Sequence, residues 1–127
     1  MDKNKHVEIY EYESFDVIDM KVFELIKNQS EGDSSIVREI YLSYFSEAEV
    51  LMKLINEHAN KNNYEKLRVS VHSLSGISAT VGAKKMKEIT KDIEIELRNE
   101  NFNEASVLVP MLNRAFQELK KTINQLI

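Results

Sequence analysis

Residues 34–60 read SSIVREIYLSYFSEAEVLMKLINEHAN, and the spacing of their apolar side chains decides the fold class. Small or apolar residues recur here at steps of three and four, at Ile36, Ile40, Tyr44, Ala48, Leu51, Ile55 and Ala59. At 3.6 residues per turn these positions share one face. The stretch therefore predicts a long amphipathic helix that turns this face toward a core.

Three similar segments follow toward the C-terminus. Their apolar faces are Tyr64, Leu67, Val71, Leu74, Ser78 and Val81 in residues 64–81; Met86, Ile89, Ile93 and Leu97 in residues 83–99; and Ala105, Leu108, Leu112, Phe116, Leu119, Ile123 and Leu126 in residues 102–126. Gly82 is a plausible stop for the first of these helices. Pro110 lies inside the last segment, where we expect a bend and not an end.

A shorter helix is predicted ahead of the long ones. Asp19 is a good N-cap for a helix over residues 19–27, whose apolar side carries Val22, Phe23 and Ile26. Gly32 breaks the helix in the loop 28–33 that follows. Residues 1–16 have no clear period, and Ile9, Tyr10, Tyr12 and Phe15 are compatible with an extra turn, a strap across the bundle or the remains of a linker.

These elements predict an all-α fold. Four long amphipathic segments with short connections favour an antiparallel up-down-up-down four-helix bundle, with the short additional N-terminal helix capping one end. We expect residues 17–127 to form the bundle and residues 1–16 to be an N-terminal extension or strap. A chain of 127 residues has no room for a second full domain.

Composition narrows the function classes. The net charge of −4, spread along the chain, disfavours nucleic acid as a partner, because such binding needs a basic patch. With no cysteine, the chain has neither disulfides nor thiol chemistry. No segment approaches the ~20 apolar residues that span a bilayer, so no membrane association is expected. We expect a cytoplasmic, monomeric protein.

The candidate nucleophile is His72. On a helical wheel, Val71 lies near the centre of the apolar stripe, and His72 points away from it toward water. Arg68, Ser75, Gly76, Ala79 and, if the helix continues, Ala83 fall on the same outer side. A glycine inside a helix costs ~1 kcal/mol relative to alanine. Gly76 therefore calls for a reason, and close approach of a partner to the imidazole would supply one.

Glu94 on the next helix is the candidate partner of this imidazole. If the two helices form a hairpin that turns at Gly82 and Ala83, His72 and Glu94 lie at similar distances from the turn. A carboxylate that accepts a hydrogen bond from Nδ1 would hold one tautomer and leave Nε2 nucleophilic. Cations further round the same side of that helix, Lys87, Lys91 and Arg98, could balance a phosphoryl group.

The run His72-Ser73-Leu74-Ser75-Gly76, followed by Gly82-Ala83, resembles the signature of histidine-containing phosphotransfer (HPt) domains. That signature is His-x-Leu-Lys-Gly, several small or apolar residues, and Gly-Ala. The resemblance extends from about Asp19 to Leu126 and includes Tyr44-Phe45 and the acidic Glu94. It implies a helical bundle that serves as a phosphorelay intermediate: His72 would accept a phosphoryl group from a receiver-domain aspartate or a histidine kinase and pass it to a response-regulator receiver.

The resemblance also implies roles for single residues. His72 would be phosphorylated at Nε2, Glu94 would orient the ring, and Gly76 would leave space for the receiver. The chain would be a carrier more than an independent enzyme, with no cofactor of its own and with Mg²⁺ on the partner receiver. Ser75 replaces the family's lysine, so Lys91, Lys87 or Arg98 would have to supply that charge.

Two other readings stay open. The missing lysine is compatible with a pseudo-HPt adaptor that binds a kinase or receiver without phosphotransfer. A plain helical scaffold with no signalling role is the third alternative. His6 and His58 are interpreted as ordinary solvated residues, because neither has partners at metal-ligand spacing.

Overall fold

A computed structural model describes residues 12–127 of the chain. We number its long helices in chain order: α1 is Met20–Gln29, α2 is Ser34–Asn60, α3 is Tyr64–Thr80, α4 is Lys84–Arg98 and α5 is Phe102–Leu126. The prediction for residues 1–11 lies outside the described residues. Each predicted helix is confirmed to within about two residues at its ends.

The long helices form the predicted antiparallel bundle. α3 packs between α2 and α4, α4 packs against α5, and α5 closes the ring against α2, while α1 contacts α2. The all-α, four-helix-bundle prediction is therefore confirmed. α5 runs through Pro110 without ending, as expected.

The three connections that join α2, α3, α4 and α5 share one geometry. Each has three residues, and the middle one, Asn62, Gly82 or Glu100, adopts a positive φ of 54°, 73° or 59°. The residue after it donates its N–H to a carbonyl five positions back, as in Asn63 to His58. This capping satisfies helix-end carbonyls and reverses the chain within a few residues.

Gly82 is required at its turn for a second reason. A Cβ added there would lie 2.8 Å from Val22 Cβ and 3.1 Å from the Asp19 carbonyl oxygen. The Asp19 N–H also donates to the Gly82 carbonyl at 2.7 Å, so the start of α1 is anchored on the α3–α4 turn. The sequence predicted a helix stop at Gly82, but not this close approach.

The predicted core face of α2 was wrong in its N-terminal half. Ile36 and Ile40 are 42% and 37% exposed, whereas the buried residues are Val37, Tyr41, Tyr44, Ala48, Met52 and Ile55. Tyr41 and Tyr44 are large enough to fill the space between helices, and both hydroxyls find partners: the Val81 carbonyl at 3.1 Å and Ser78 Oγ at 2.9 Å. The buried face therefore includes Val37 and Tyr41 in place of Ile36 and Ile40.

Two further predictions, one for a core residue and one for an outer residue, need correction. Leu126, near the end of α5, is 39% exposed. Ala83, which the wheel placed beside His72 if α3 continued, is buried as the N-cap of α4 because α3 ends at Thr80.

The last residues of the predicted N-terminal extension pack onto the bundle. Tyr12 is buried, and its hydroxyl donates to an Asp92 carboxylate oxygen on α4. Phe15 packs against the core from a partly buried position. The division of the chain at residue 16 stays a prediction, since it depends on residues 1–11.

Candidate functional site

The site lies on the hairpin of α3 and α4. The buried residues of α3, namely Leu67, Ser70, Val71, Leu74 and Ser78, turn its opposite face outward. His72 lies on that outward face, ten residues before Gly82, and Glu94 lies twelve residues after it. Because the turn at residues 81–83 is short, the two residues come to the same level of the hairpin.

The two side chains are joined by one hydrogen bond. His72 Nδ1 lies 3.0 Å from Glu94 Oε2. The imidazole side chain is 76% exposed, whereas the Glu94 side chain is only 16% exposed. The carboxylate is thus held between the helices while the ring projects into solvent. Nδ1 donates in the tautomer that this contact favours.

The other ring nitrogen is open. Among residues 12–127, Nε2 of His72 has no hydrogen-bond partner. The sequence predicted the Nδ1 contact with Glu94 and the outward direction of the ring, and both are present in the structure. The roles of the two residues in a reaction stay predictions.

The space beside the ring is also open. Gly76 lies one turn after His72 on the exposed face of α3. Apart from its own chain neighbours and helix backbone, no heavy atom of residues 12–127 lies within 4 Å of a Cβ built on Gly76. The glycine is therefore not required by packing inside this chain. The loss of helix propensity at Gly76 therefore has no explanation within the described residues, but close approach by a partner protein would explain it.

The other residues predicted around His72 lie on two strips. Arg68 and Ala79 are exposed on α3, and Ser75 is half-buried on the same helix. Lys87, Lys91 and Arg98 are exposed on α4. Lys91 and Arg98 lie three residues before and four residues after Glu94, so they flank it along one helix face. None of these cations forms an ion pair within residues 12–127.

The floor under α3 is rigid and apolar. Tyr44 on α2 bonds to Ser78 one turn beyond Leu74, and burial raises the pKa of the Tyr44 phenol to about 12 despite this hydrogen bond. Burial also raises the pKa of Tyr41 to about 12. Both phenols are therefore neutral below pH 10, and the helix that carries His72 rests on satisfied, uncharged groups.

The sequence reasoning missed a groove on the other side of α3. Residues of α2 and α3 line it, with Ile36, Ile40 and Ile77 as its apolar part and Glu39, Glu47 and Thr80 along it. Ile36 and Ile40 could have indicated this apolar surface, but the periodicity assigned both residues to the core.

His58 lies in the last turn of α2 and His6 lies outside the described residues. Within residues 12–127, no group of three or more His, Asp or Glu side chains is placed to hold a metal ion. No helix in this part of the chain is long and apolar enough to cross a membrane.

These features define a class of protein: a helical bundle that displays one imidazole, held by a carboxylate, on the outside of a rigid helix. Comparison with known families gives the particular one. The Hpt domain profile matches residues 39–127, which is more than half of the chain. The chain therefore belongs to the Hpt domain family, whose role is histidine phosphotransfer in phosphorelays with two-component kinases and receivers.

Solved structures agree on the fold. Histidine-containing phosphotransfer protein B (HptB) from Pseudomonas aeruginosa superposes with a TM-score of 0.78 at 19% identity, over 88% of this chain and 95% of that one. ZmHP2, a histidine-containing phosphotransfer protein from maize, gives 0.74 at 20% identity, over 86% of each chain. A putative histidine-containing phosphotransfer protein from rice gives 0.76 at 18% identity, over 97% of this chain and 88% of that one. A search of curated sequences finds no significant match.

Proposed function

We propose that the protein is a phosphorelay intermediate that accepts a phosphoryl group on Nε2 of His72 and passes it to a response-regulator receiver. The donor is a receiver-domain aspartate or a histidine kinase. The observation that carries the proposal is the fixed, exposed imidazole: Nδ1 is held by Glu94 at 3.0 Å while Nε2 faces solvent. A nucleophile needs a free lone pair that a donor can reach; the contact of Nδ1 with Glu94 favours the tautomer whose lone pair is on Nε2, and the ring is exposed.

The transfer needs few groups from this chain. The Nε2 lone pair attacks the phosphorus in line, the Nε2–P bond forms, and the P–O bond to the donor aspartate breaks so that its carboxylate leaves. The ring, which keeps its proton on Nδ1, gains a positive charge. The Glu94 carboxylate is in place to balance that charge, and it needs no rearrangement as the reaction proceeds. Transfer to the next receiver reverses these steps.

Positioning contributes most of the catalysis under this proposal. The backbone of α3 is held by buried residues on two sides, and the ring is held by one hydrogen bond, so the reacting nitrogen is presented in one orientation. Preorganisation of this kind lowers the entropic part of the barrier. The protein then acts as a carrier, and Mg²⁺ with most of the charge stabilisation comes from the partner receiver.

The family's lysine position is occupied by Ser75 in this chain. The cations of α4 supply the positive charge instead. Lys91 precedes Glu94 by one turn, and its side chain is exposed and free of ion pairs within residues 12–127. Because Lys91 lies one turn from Glu94 along the same helix, the proposal assigns to its ammonium the role of neutralising the phosphoryl group on Nε2. Lys87 and Arg98 extend the same basic strip.

The location and oligomeric state belong to the same proposal. Histidine kinases phosphorylate from cytoplasmic ATP, so we place the exchange in the cytoplasm. A monomer suffices, because both members of the His72–Glu94 pair come from one chain.

The direct test is phosphorylation by a receiver. The protein is incubated with a panel of purified receiver domains from the host, each loaded with acetyl phosphate and Mg²⁺, and label on the chain is tested for acid lability and base stability. We expect such label on the wild type and none on His72→Gln. Label that persists in His72→Gln would remove His72 from the scheme.

A second candidate rests on one observation. Ser75 leaves the α3 position of the family's lysine without a charge. An adaptor that binds a kinase or receiver without transfer would tolerate this loss. Binding of a receiver that survives His72→Ala, with no label on the wild type from any receiver in the panel, would favour the adaptor.

A further inference from the structure

One face of α2 points away from the bundle. The buried residues of this helix lie on one side, where the helix packs against α3 and α5. Roughly opposite to them, five exposed residues fall within an arc of about 80° at 100° per residue. They are Glu39, Leu42, Ser46, Val50 and Lys53, and we call this set the outer stripe of α2.

The outer stripe carries two large apolar side chains with a small residue between them. Leu42 is 52% exposed and Val50 is 61% exposed. They are about 12 Å apart along the helix, and Ser46 lies midway between them. A single exposed apolar residue is ordinary. Here two of them share one straight face, and the serine between them lets a second helix approach closely.

The charges at the two ends of the stripe are opposite and unpaired. Glu39 and Lys53 form no ion pair within residues 12–127. They are about 21 Å apart along the helix, so salt largely screens their interaction with each other. Glu49, between them in sequence, already forms an ion pair with Lys120 of α5. The free charges of the stripe therefore lie at its two ends.

The spacing of the stripe is the same in both directions along the helix. The steps between its residues are three, four, four and three. If a second copy of α2 packs antiparallel with Ser46 opposite Ser46, each Leu42 meets Val50 of the other copy, and each Glu39 meets Lys53. The surface is thus complementary to itself about a two-fold axis. In a parallel pair each residue would meet its own equivalent, and the charges would repel.

We propose that the outer stripe of α2 is a self-association surface, on which a second copy of this chain packs antiparallel about a two-fold axis at Ser46. The contact is weak, because one helix face about 21 Å long buries far less area than a standard interface of ~1,600 Å². We expect a dissociation constant of about 0.1–1 mM.

The pairing is separate from the proposed function. His72 and Glu94 lie on α3 and α4, and their hydrogen bond is complete within one copy. The transferring unit therefore stays a single chain, and the pairing of copies is an additional equilibrium. Its tests measure association alone, so their outcome is independent of phosphotransfer.

Cysteine cross-linking tests the contact at its centre. The chain has no cysteine, so a single introduced thiol can form a disulfide only with another copy. Ser46→Cys is compared with Ser73→Cys, which changes an exposed serine of α3. Under mild oxidation at about 0.5 mM protein, we expect Ser46→Cys to form linked dimer at least about fivefold faster, because a disulfide requires Cα atoms within ~7 Å.

Two more cysteine variants test the direction of the second helix. Leu42→Cys and Val50→Cys are oxidised separately and as an equal mixture. In the antiparallel pair, position 42 of one copy lies opposite position 50 of the other, whereas equivalent positions are about 12 Å apart along the helix. We expect the mixture to give more linked dimer than either variant alone, with both variants in the product. Faster linking of the separate variants would contradict the antiparallel register.

Charge reversal tests the ends of the stripe without a cross-link. Glu39→Lys or Lys53→Glu alone creates two like-charged contacts per pair, so sedimentation equilibrium should show association about fivefold weaker or more. The double variant and an equal mixture of the single variants both place opposite charges together again, and should recover to within about threefold of the wild type. Glu65→Lys and Lys66→Glu, which change exposed residues of α3, are the controls and should associate as the wild type does.

Aspartate substitutions test the apolar part of the stripe. Leu42→Asp and Val50→Asp should each weaken association about tenfold or more, because a charge then faces an apolar side chain. Leu25→Asp is the matched control, since Leu25 is 54% exposed on α1, and it should associate as the wild type does. Far-UV circular dichroism checks that all three variants fold.

Two results overturn the proposal. The first is a wild type that stays monomeric up to about 1 mM, ten times the lower expected dissociation constant, together with Ser46→Cys that links no faster than Ser73→Cys. The second is association that Leu42→Asp and Val50→Asp leave unchanged, because a different surface would then join the copies.

Discussion

Gly76 separates stability from function in this fold. The glycine lies inside α3 on an exposed face. Within the described part of the chain, a Cβ built there meets no heavy atom within 4 Å beyond its immediate neighbours and helix backbone. Gly76→Ala therefore gains the helix propensity of alanine with no steric cost in the free protein. The gain is ~1 kcal/mol in the free energy of unfolding, or about 3–5 °C in Tm for a chain of this length.

The same change should impair phosphotransfer. A receiver that approaches the imidazole over Gly76 meets the added side chain, and forcing extra atoms into a packed contact costs ~1–3 kcal/mol. We expect a modest loss for Gly76→Ala and a loss of about tenfold or more in kcat/KM for Gly76→Gln. Glutamine is also a better helix former than glycine, so Gly76→Gln should still be more stable than the wild type.

Urea denaturation followed by far-UV circular dichroism gives the stability, and transfer from a phosphorylated receiver gives the rate. Phosphoramidate labelling of His72 is the control, because a small donor should be indifferent to the side chain at position 76. A Gly76→Gln protein that is stabilised and still transfers at the wild-type rate would refute the reasoning, since the glycine would then have no role in docking.

Three further predictions concern Glu94 and Lys91 near the His72 ring and Tyr44 beneath α3. Glu94→Ala should slow transfer about five- to tenfold through loss of one hydrogen bond of ~1 kcal/mol, whereas Glu94→Gln, which can still accept from Nδ1, should lose less; equal losses would argue against an orienting role. Lys91→Ala should slow transfer severalfold, and adding Ser75→Lys should restore it; no rescue would mean that Lys91 does not replace the family's lysine. Burial raises the pKa of Tyr44 from 10.0 to about 12, so the unfolded chain loses this proton first as the pH rises. The free energy of unfolding should therefore fall by ~2–3 kcal/mol from this group between pH 10 and 12. Equilibrium unfolding at pH 8 and pH 12 should therefore show a smaller fall for Tyr44→Phe than for the wild type, and equal falls would contradict the assignment.

Helix content was predictable because it depends on local pattern. The three- and four-residue spacing in 64–81, 83–99 and 102–126 marks the face that must leave water, and the capping residues mark the ends. The pairing of His72 with Glu94 was also within reach, because a short turn at Gly82 leaves only one register for the hairpin. In each case the deciding information lies within about twenty residues of chain.

The core face of α2 was less predictable. Ile36 and Val37, and likewise Ile40 and Tyr41, are adjacent apolar residues, so two faces fit the periodicity. Which face is buried depends on the groups on the opposing helix and turn. The Tyr41 hydroxyl donates to the Val81 carbonyl, and the Tyr44 hydroxyl shares a hydrogen bond with Ser78 Oγ, only when both tyrosines point inward. Those partners are more than thirty residues away.

The amino-acid sequence by itself determined that the chain is a bundle of helices and where the chain turns between them. It also determined that one histidine faces outward, with a carboxylate at the same height on the next helix. These are consequences of short-range periodicity and of loops too short to allow alternatives. Only the tertiary structure decided which isoleucines are exposed to solvent and why no larger side chain fits at Gly82. It also decided that the groove with Glu39 and Glu47 lies on the other side of α3 from the cations of α4. These features arise where segments distant in sequence come together, and their packing energies depend on both partners at once.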